Sequence, residues 1–389
     1  MPRPGYDAVL LVTGFPSVYS RRMIEHVLET EPRTLIYVLS PAEADDKSAA
    51  EEFIPAPDRP RAAFEHLPAD QQDRIVFIEG DPSAMDLGLS GAEFRALTGE
   101  IDCIHHIAHV NHIDADRRTA HNVNVIGAAE ILEFARATST LDCLIFHSTA
   151  HVCGDRTGVV YEDDLDMGQS FRSEVEQTRM RAELLVRRAM RDAPITVVRP
   201  TTLVGDTGTG ENYRLDGLYL LALLVLATPG HIAIPFPGRG ETPLNIVPLD
   251  YVIRAAHAIG RNPSARGRTF HLADPNPLST RSVFELLSRT SGRRPPKSHI
   301  PSNLAKAVLR TPGIERFMRN PRAFVEQLTT QVRYDTHNTD QILRGTGITC
   351  PPFESYVVDL VTVVQDHIKA QKRRRALTTD EVEVDDPLS

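Results

Sequence analysis

The feature that most restricts the fold is a repeated switch of hydrophobic period. Ala8-Val9-Leu10-Leu11-Val12 is an unbroken apolar run closed by Thr13-Gly14, and Met23, Ile24, Val27 and Leu28 then recur at helical spacing. The switch recurs along the chain. Leu35-Ile36-Tyr37-Val38-Leu39, Ile75-Val76-Phe77-Ile78, Cys103-Ile104-His105-His106-Ile107, Leu144-Ile145-Phe146-His147 and Ile195-Thr196-Val197-Val198 read as further strands. Helical stretches at roughly 117–137 and 175–190 separate the last three. Strands that are apolar on both faces and joined by helices require a parallel sheet covered on both sides. The expectation is an α/β chain with a doubly wound parallel sheet at 1–205. After Gly205 the alternation fades into Pro-rich, more helical sequence. That change predicts a smaller C-terminal lobe at 206–375, some of whose strands or helices can return to the core. From Lys372 periodicity is lost, and 376–389 reads as a disordered acidic tail.

Charge and composition exclude several classes of partner. A net charge of -9 argues against a phosphate backbone, so no nucleic-acid partner is expected. The longest apolar stretch, Leu218 to Ala227, spans about 10 residues where a membrane span needs roughly 20. It reads as a buried helix, and no membrane span is expected. The N-terminus shows no apolar signal segment. Cys103, Cys143, Cys153 and Cys350 have neither disulfide nor metal spacing, which points to reduced thiols in a cytoplasmic protein.

A strand, a glycine turn and a helix form an anion site, because backbone N–H groups and the helix N-terminus converge there. Here the turn is Thr13-Gly14-Phe15-Pro16-Ser17-Val18-Tyr19-Ser20. It resembles the T-G-x-x-G-x-x-G turn of extended short-chain dehydrogenases/reductases, with Ser17 and Ser20 at the second and third glycine positions. Other segments match in order. They are Gly80-Asp81, His106-Ile107-Ala108-His109, Asn124-Val125-Ile126-Gly127, Ser148-Thr149 with Gly154, and Arg199-Pro200 with Gly205. Asp86-Leu87-Gly88-Leu89 and Gly205-Asp206-Thr207-Gly208-Thr209-Gly210 resemble in particular the thioester reductase and fatty acyl-CoA reductase branch, the male-sterility-type proteins. The resemblance covers roughly residues 8 to 370. It implies a Rossmann-type nucleotide core and a C-terminal substrate lobe. Cofactor contacts are implied at Thr13, Gly14, Phe15, Pro16, Ser17, Ser20, Asp81, Ala108, Asn124 and Arg179, and a catalytic hydroxyl at Thr149.

The chemistry of that family uses a Tyr and a Lys four residues apart, so that the ammonium lowers the phenol pKa on one helix face. In the matching stretch, Val175 stands at the Tyr position and Arg179 at the Lys position. No Tyr lies between Tyr161 and Tyr213, so shifting the register does not restore the motif. Valine carries no titratable proton. Arg179 retains charge for a ribose or phosphate.

Replacement groups are His109 and His151 beside Thr149, since imidazole titrates near neutrality. His109, His112, His151 and Cys153 are candidate metal ligands by residue type, but strand alternation sends His105 and His106 to opposite faces and no metal is expected. Cys153 is read as a packed thiol rather than a nucleophile, although a strand-like segment would point it the same way as His151. The leading expectation is a degenerate member of the family that acts on or binds an acyl thioester or similar hydrophobic metabolite, without standard hydride transfer. By resemblance, reductase-like domains lacking the Tyr carry out redox-free ring closure of a tethered thioester. The alternatives are an NADPH-dependent thioester reductase with a substitute acid/base, and a non-catalytic nucleotide-binding or scaffold protein. Leu39-Ser40-Pro41-Ala42 offers no acid to a ribose 2′-OH, which favours NADP(H) over NAD(H). Serines in the turn would cost about 1–3 kcal/mol if their φ were positive, so loss of cofactor binding stays open. The partner expected is a small-molecule or carrier-tethered acyl substrate, and a homodimer is compatible with the sequence.

Overall fold

The computed structural model describes residues 5–41, 60–110, 115–207, 218–227, 236–237, 240–295, 299–300 and 330–382. Its central sheet has seven strands: β1 (Ala8–Val12), β2 (Thr34–Ser40), β3 (Ile75–Glu79), β4 (Cys103–His106), β5 (Cys143–His147), β6 (Ile195–Pro200) and β7 (Thr269–Leu272). The spatial order is β3-β2-β1-β4-β5-β6-β7, and every neighbouring pair is parallel. The chain starts in the middle, runs to one edge, then returns beside β1 and proceeds to the other. That reversal is the Rossmann arrangement, and it leaves a crevice above the C-terminal ends of β1 and β4.

The covering helices include α1 (Val18–Thr30), α2 (Gly127–Ala137), α3 (Glu174–Ala189) and α4 (Leu249–Arg261). Successive strand residues point to opposite faces. Leu10, Val12, Ile36, Val38 and Ile145 pack with α1 and α4, while Val9, Leu11, Ile104, Leu144 and Val197 pack with α2 and α3. Burial on both faces explains why the strand runs are apolar without interruption. Local signals agree with the packing. Ser173 caps α3 by accepting from Glu176 N, Glu174 and Glu176 occupy its first turn and Arg187 and Arg188 its last, matching the helix dipole.

A third apolar cluster joins Val204, the helix Leu218–Ala227, the helix Thr280–Thr290 and the start of the helix Val357–Val382. Leu218, Tyr219, Leu221, Ala222, Leu223, Val225 and Leu226 are all buried, so this apolar stretch is a core helix. Sequence beyond position 205 also completes the main sheet: β7 forms its edge and α4 packs on α1. The helix Val357–Val382 continues past position 376, where the sequence pattern pointed to a disordered tail. Lys372-Arg373-Arg374-Arg375-Ala376-Leu377 are good helix formers even without an amphipathic pattern. Residues 383–389 lie outside the described residues. No helix among the described residues is long and apolar enough to cross a membrane.

Candidate nucleotide and catalytic edge

Three loops meet above the C-terminal ends of the strands, and the β1–α1 turn is the tightest. Gly14 has φ +87°, and a Cβ there would stand 2.8 Å from Ala108 N and from the Ile107 carbonyl carbon. Only glycine fits. Thr13, buried, accepts at Oγ1 from Ile107 N and Ala108 N, both at 3.2 Å, and lies 3.1 Å from His106 Nδ1. These contacts pin the first turn to the loop after β4. Phe15 points away from the crevice, buried against Phe64 and Phe77. The strain expected of the serines does not arise. Ser17 has φ −55° and caps α1, and Ser20 sits in a helical turn with no positive φ. Their hydroxyls are used inside the turn: Ser20 N donates to Ser17 Oγ, and Ser20 Oγ donates to Gly14 O and Ser17 O. The first capping partner of the turn is its own side chain.

Asn124 lies in a π-helical turn, Asn122–Ile126, just before α2. Its Oδ1 accepts from Val110 N at 2.9 Å and its Nδ2 donates to Thr178 Oγ1 at 3.0 Å. It therefore braces the β4 loop against α3. Asp81 follows β3, exposed, and accepts from Ser83 N and Oγ. Val175 is 6% exposed and packs with Val110, Ala115 and Ala120. Arg179, one turn on, is buried and donates from a terminal nitrogen to His147 O at 2.8 Å, so that part of its charge is directed at the end of β5.

Thr149 is half-buried at the end of β5 and caps a 3₁₀ turn, Ala150–Cys153, by accepting from His151 N. That turn corrects the strand-like reading of the segment: residues two apart in a 3₁₀ helix do not share a face. Cys153 is buried with its sulfur 3.4 Å from Tyr334 Oη, and burial raises its thiol pKa. It is a packed thiol. Just before Thr149, Ser148 donates at 2.5 Å to Glu183, a fully buried carboxylate that also binds Arg199 and Arg187.

Burial holds His109 and His151 below their ordinary value, which corrects the expectation that these two titrate near neutrality. Burial lowers His109 well below its ordinary value, reinforced by Arg179, His147 and His106. Burial and Arg172 hold His151 down to about 4. At pH 7 both are neutral imidazoles, able to donate an N–H but not carrying the second proton of an acid. They also answer to different arginines, so the structure groups His109 with Arg179 and His106, and His151 with Thr149 and Arg172. His112 lies outside the described residues.

Comparison with known proteins gives this framework a family. The model of the NAD-binding family described as male sterility protein matches residues 12–256. The chain belongs to the male sterility protein family. This family member is 27% identical over 316 residues to a probable fatty acyl-CoA reductase 4 of Arabidopsis thaliana, covering 72% of the chain and 61% of the plant protein. It thus spans about three-fifths of the length of such relatives. Among solved structures, the terminal R domain from the myxalamid PKS-NRPS biosynthetic pathway aligns with a TM-score of 0.77 at 24% identity, over 95% of this chain and 92% of that one. A thiolation-reductase di-domain from an archaeal non-ribosomal peptide synthetase aligns with a TM-score of 0.67 at 16% identity, over 93% and 76%. Both likenesses concern the fold, and they agree with the short-chain dehydrogenase/reductase architecture read from the motifs.

Sequence reasoning missed the Glu183 cluster and the partner of Tyr19, whose hydroxyl lies 2.8 Å from His147 Nδ1. A glutamate on the apolar face of α3, in line with Val175, Arg179 and Val186, was the available signal.

Proposed function

We propose that this male sterility family member binds an acyl thioester, on coenzyme A or tethered to a carrier, and processes it without tyrosine-dependent hydride transfer. Val175 carries the reading. At the position where the family resemblance puts the proton-donating phenol, a side chain with no proton to give is packed among Val110, Ala115 and Ala120. The acyl thioester comes from the relatives, which include a fatty acyl-CoA reductase and a domain fused to a thiolation domain. The turn still fits a nicotinamide dinucleotide: Gly14 keeps its positive φ, and the N-terminus of α1 faces the crevice. Thr13, Gly14, Ser17 and Ser20 would shape the pyrophosphate seat, and β2 ends in Ser40 rather than an acid, favouring NADP(H). Bound there, such a cofactor supplies hydride; the chain's own part is to hold and orient, with Thr149 and the His109 N–H as the donors nearest the chemistry.

Calorimetric titration of the purified protein with NADPH, NADP and an acyl-CoA tests this directly. Acyl-CoA binding with no thioester-dependent NADPH oxidation is the expected result. Stoichiometric oxidation of NADPH with release of aldehyde would instead establish the second reading, a reductase with a substitute donor, which the intact Gly14 turn and the placement of Thr149 favour. A companion variant probes the packing. Val175→Tyr, alone or with Arg179→Lys, should lose about 1–3 kcal/mol in urea unfolding because the ring overfills the cluster. Neither variant should gain NADPH oxidation; a gain would mean that the pocket lacks only the phenol.

A further inference from the structure

On the face covered by α1 and α4, three buried imidazoles stand among aliphatic side chains. His105 continues the row of Cys103 on β4, level with Val12 on β1, and His147 continues the row of Cys143 and Ile145 on β5. Tyr19 Oη is 2.8 Å from His147 Nδ1, His147 Nε2 is 3.1 Å from His105 Nδ1, and His257 Nε2 is 3.0 Å from Glu31 Oε1. The first ring is thus entered at one nitrogen and left at the other, and the series breaks only between His105 and His257. Those two rings stack with centroids 5.8 Å apart and planes 27° apart. The two nitrogens left over, His105 Nε2 and His257 Nδ1, are both buried and have no hydrogen-bond partner among the described residues. Both histidines are more than nine-tenths buried. Unpaired polar atoms this deep are rare, and a buried water with protein partners is the usual way they are satisfied.

We propose that one water bridges His105 Nε2 and His257 Nδ1, completing a proton relay from Tyr19 to Glu31. Tyr19 lies in the first turn of α1, behind the glycine turn, and Glu31 follows its last turn, about 18 Å away along the helix. The relay therefore joins the crevice edge of the sheet to the opposite edge, where Glu31 is partly open to solvent. It stands independently of the thioester reading.

Glu31 fixes the direction. Its carboxylate is held by Arg261 and Thr34 as well as His257, and although burial opposes ionisation these partners keep it well below the ordinary carboxylate range. An ionised carboxylate only accepts, so His257 Nε2 donates to Glu31, which leaves Nδ1 to face the water. The water accepts from His105 Nε2–H, His105 Nδ1 accepts from His147 Nε2–H, and His147 Nδ1 accepts from the Tyr19 hydroxyl. All three imidazoles are Nε2–H tautomers. When the Tyr19 oxygen takes up a proton from the crevice edge, it passes its own to His147 Nδ1. Each ring then gains a proton at Nδ1 and loses one at Nε2, the water passes one on, and the last leaves to solvent at partly exposed Glu31, which stays ionised. One proton crosses, and nothing is oxidised or reduced.

The test is long-range ¹H–¹⁵N correlation on the full chain labelled with ¹⁵N-histidine, assigned by single His→Gln variants. Wild type should show Nε2–H signals for His105, His147 and His257. In Glu31→Ala, His147, which does not touch Glu31, should change from one tautomer to a mixture; an unchanged His147 overturns the relay. A crystal structure of the wild-type protein gives the second readout, free of any variant's folding. One water about 3 Å from both nitrogens is expected. A dry contact between the rings, or a metal ion in place of the water, overturns the proposal.

Discussion

Acidification to pH 5 is expected to destabilise the protein by about 6 kcal/mol through three buried histidines. His106, His147 and His271 are 2%, 1% and 0% exposed. Burial, aided by Arg179 for His106, by His106 and Arg179 for His147, and by Arg199 for His271, holds each down to about 3 from 6.5. The unfolded chain therefore binds these protons first. Their full contribution is present above pH 6.5 and is lost steadily as pH falls toward about 3. At about 1.36 kcal/mol per pH unit, each histidine favours the unfolded state by about 2 kcal/mol at pH 5. Three together reach about 6 kcal/mol, against a typical stability of about 5–15 kcal/mol. Urea unfolding at fixed ionic strength between pH 7.5 and 4.5 measures it. A slope of three protons or more below pH 6 is the expected result, since burial also lowers His26, His105, His109 and His151, and His106→Asn should reduce it by about one. A flat profile would mean that water reaches these rings.

The fold was legible because its signal is repeated. β1 to β6 each announce themselves as apolar runs, and Thr13-Gly14 marks the crevice. β7 gives no such signal, since Thr269-Phe270-His271-Leu272 is short and interrupted by a histidine. That histidine is buried against Arg199 and the Asp335 carbonyl, a contact 64 residues away in sequence that no local pattern reports. The candidate site was read by resemblance rather than by chemistry. Spacing located Val175 and Arg179, but it could not say that Val175 is packed, that Arg179 is turned toward His147 O, or that Ser17 and Ser20 bond within their own turn. The titration of His109 and His151 was misjudged for the same reason. An imidazole's pKa depends on burial and on arginines brought in from other elements, here Arg179 and Arg172.

Arg199→Ala should be the most damaging single change near the crevice, costing about 3–5 kcal/mol in urea unfolding. Arg199 is 1% exposed at the end of β6 and contacts both oxygens of Glu183, the nearest at 2.6 Å. Burial alone would raise the Glu183 pKa; Arg199 and Arg187 overcome it and hold the group at about 2. The ion pair is therefore intact above the ordinary carboxylate range and lost only as pH falls toward 2, so it plays no part in the acid destabilisation near pH 5. Removing the guanidinium leaves a buried carboxylate with a weaker set of partners. It also releases the carbonyls of Glu162 and Asp164 and the Nε2 of His271. Those extra contacts separate this cluster from a simple charge pair. A buried pair is often replaced by apolar residues at no cost. Here Arg199→Met with Glu183→Leu should recover only part of the loss, because Arg187, His271 and the Ser148 hydroxyl would each lose a partner, even though Arg187 still donates to the carbonyls of Glu162 and Asp164. Full recovery in a double-mutant cycle would reduce the cluster to its charges. Partial recovery would identify Glu183 as the anchor that fixes Ser148, next to the turn that Thr149 caps.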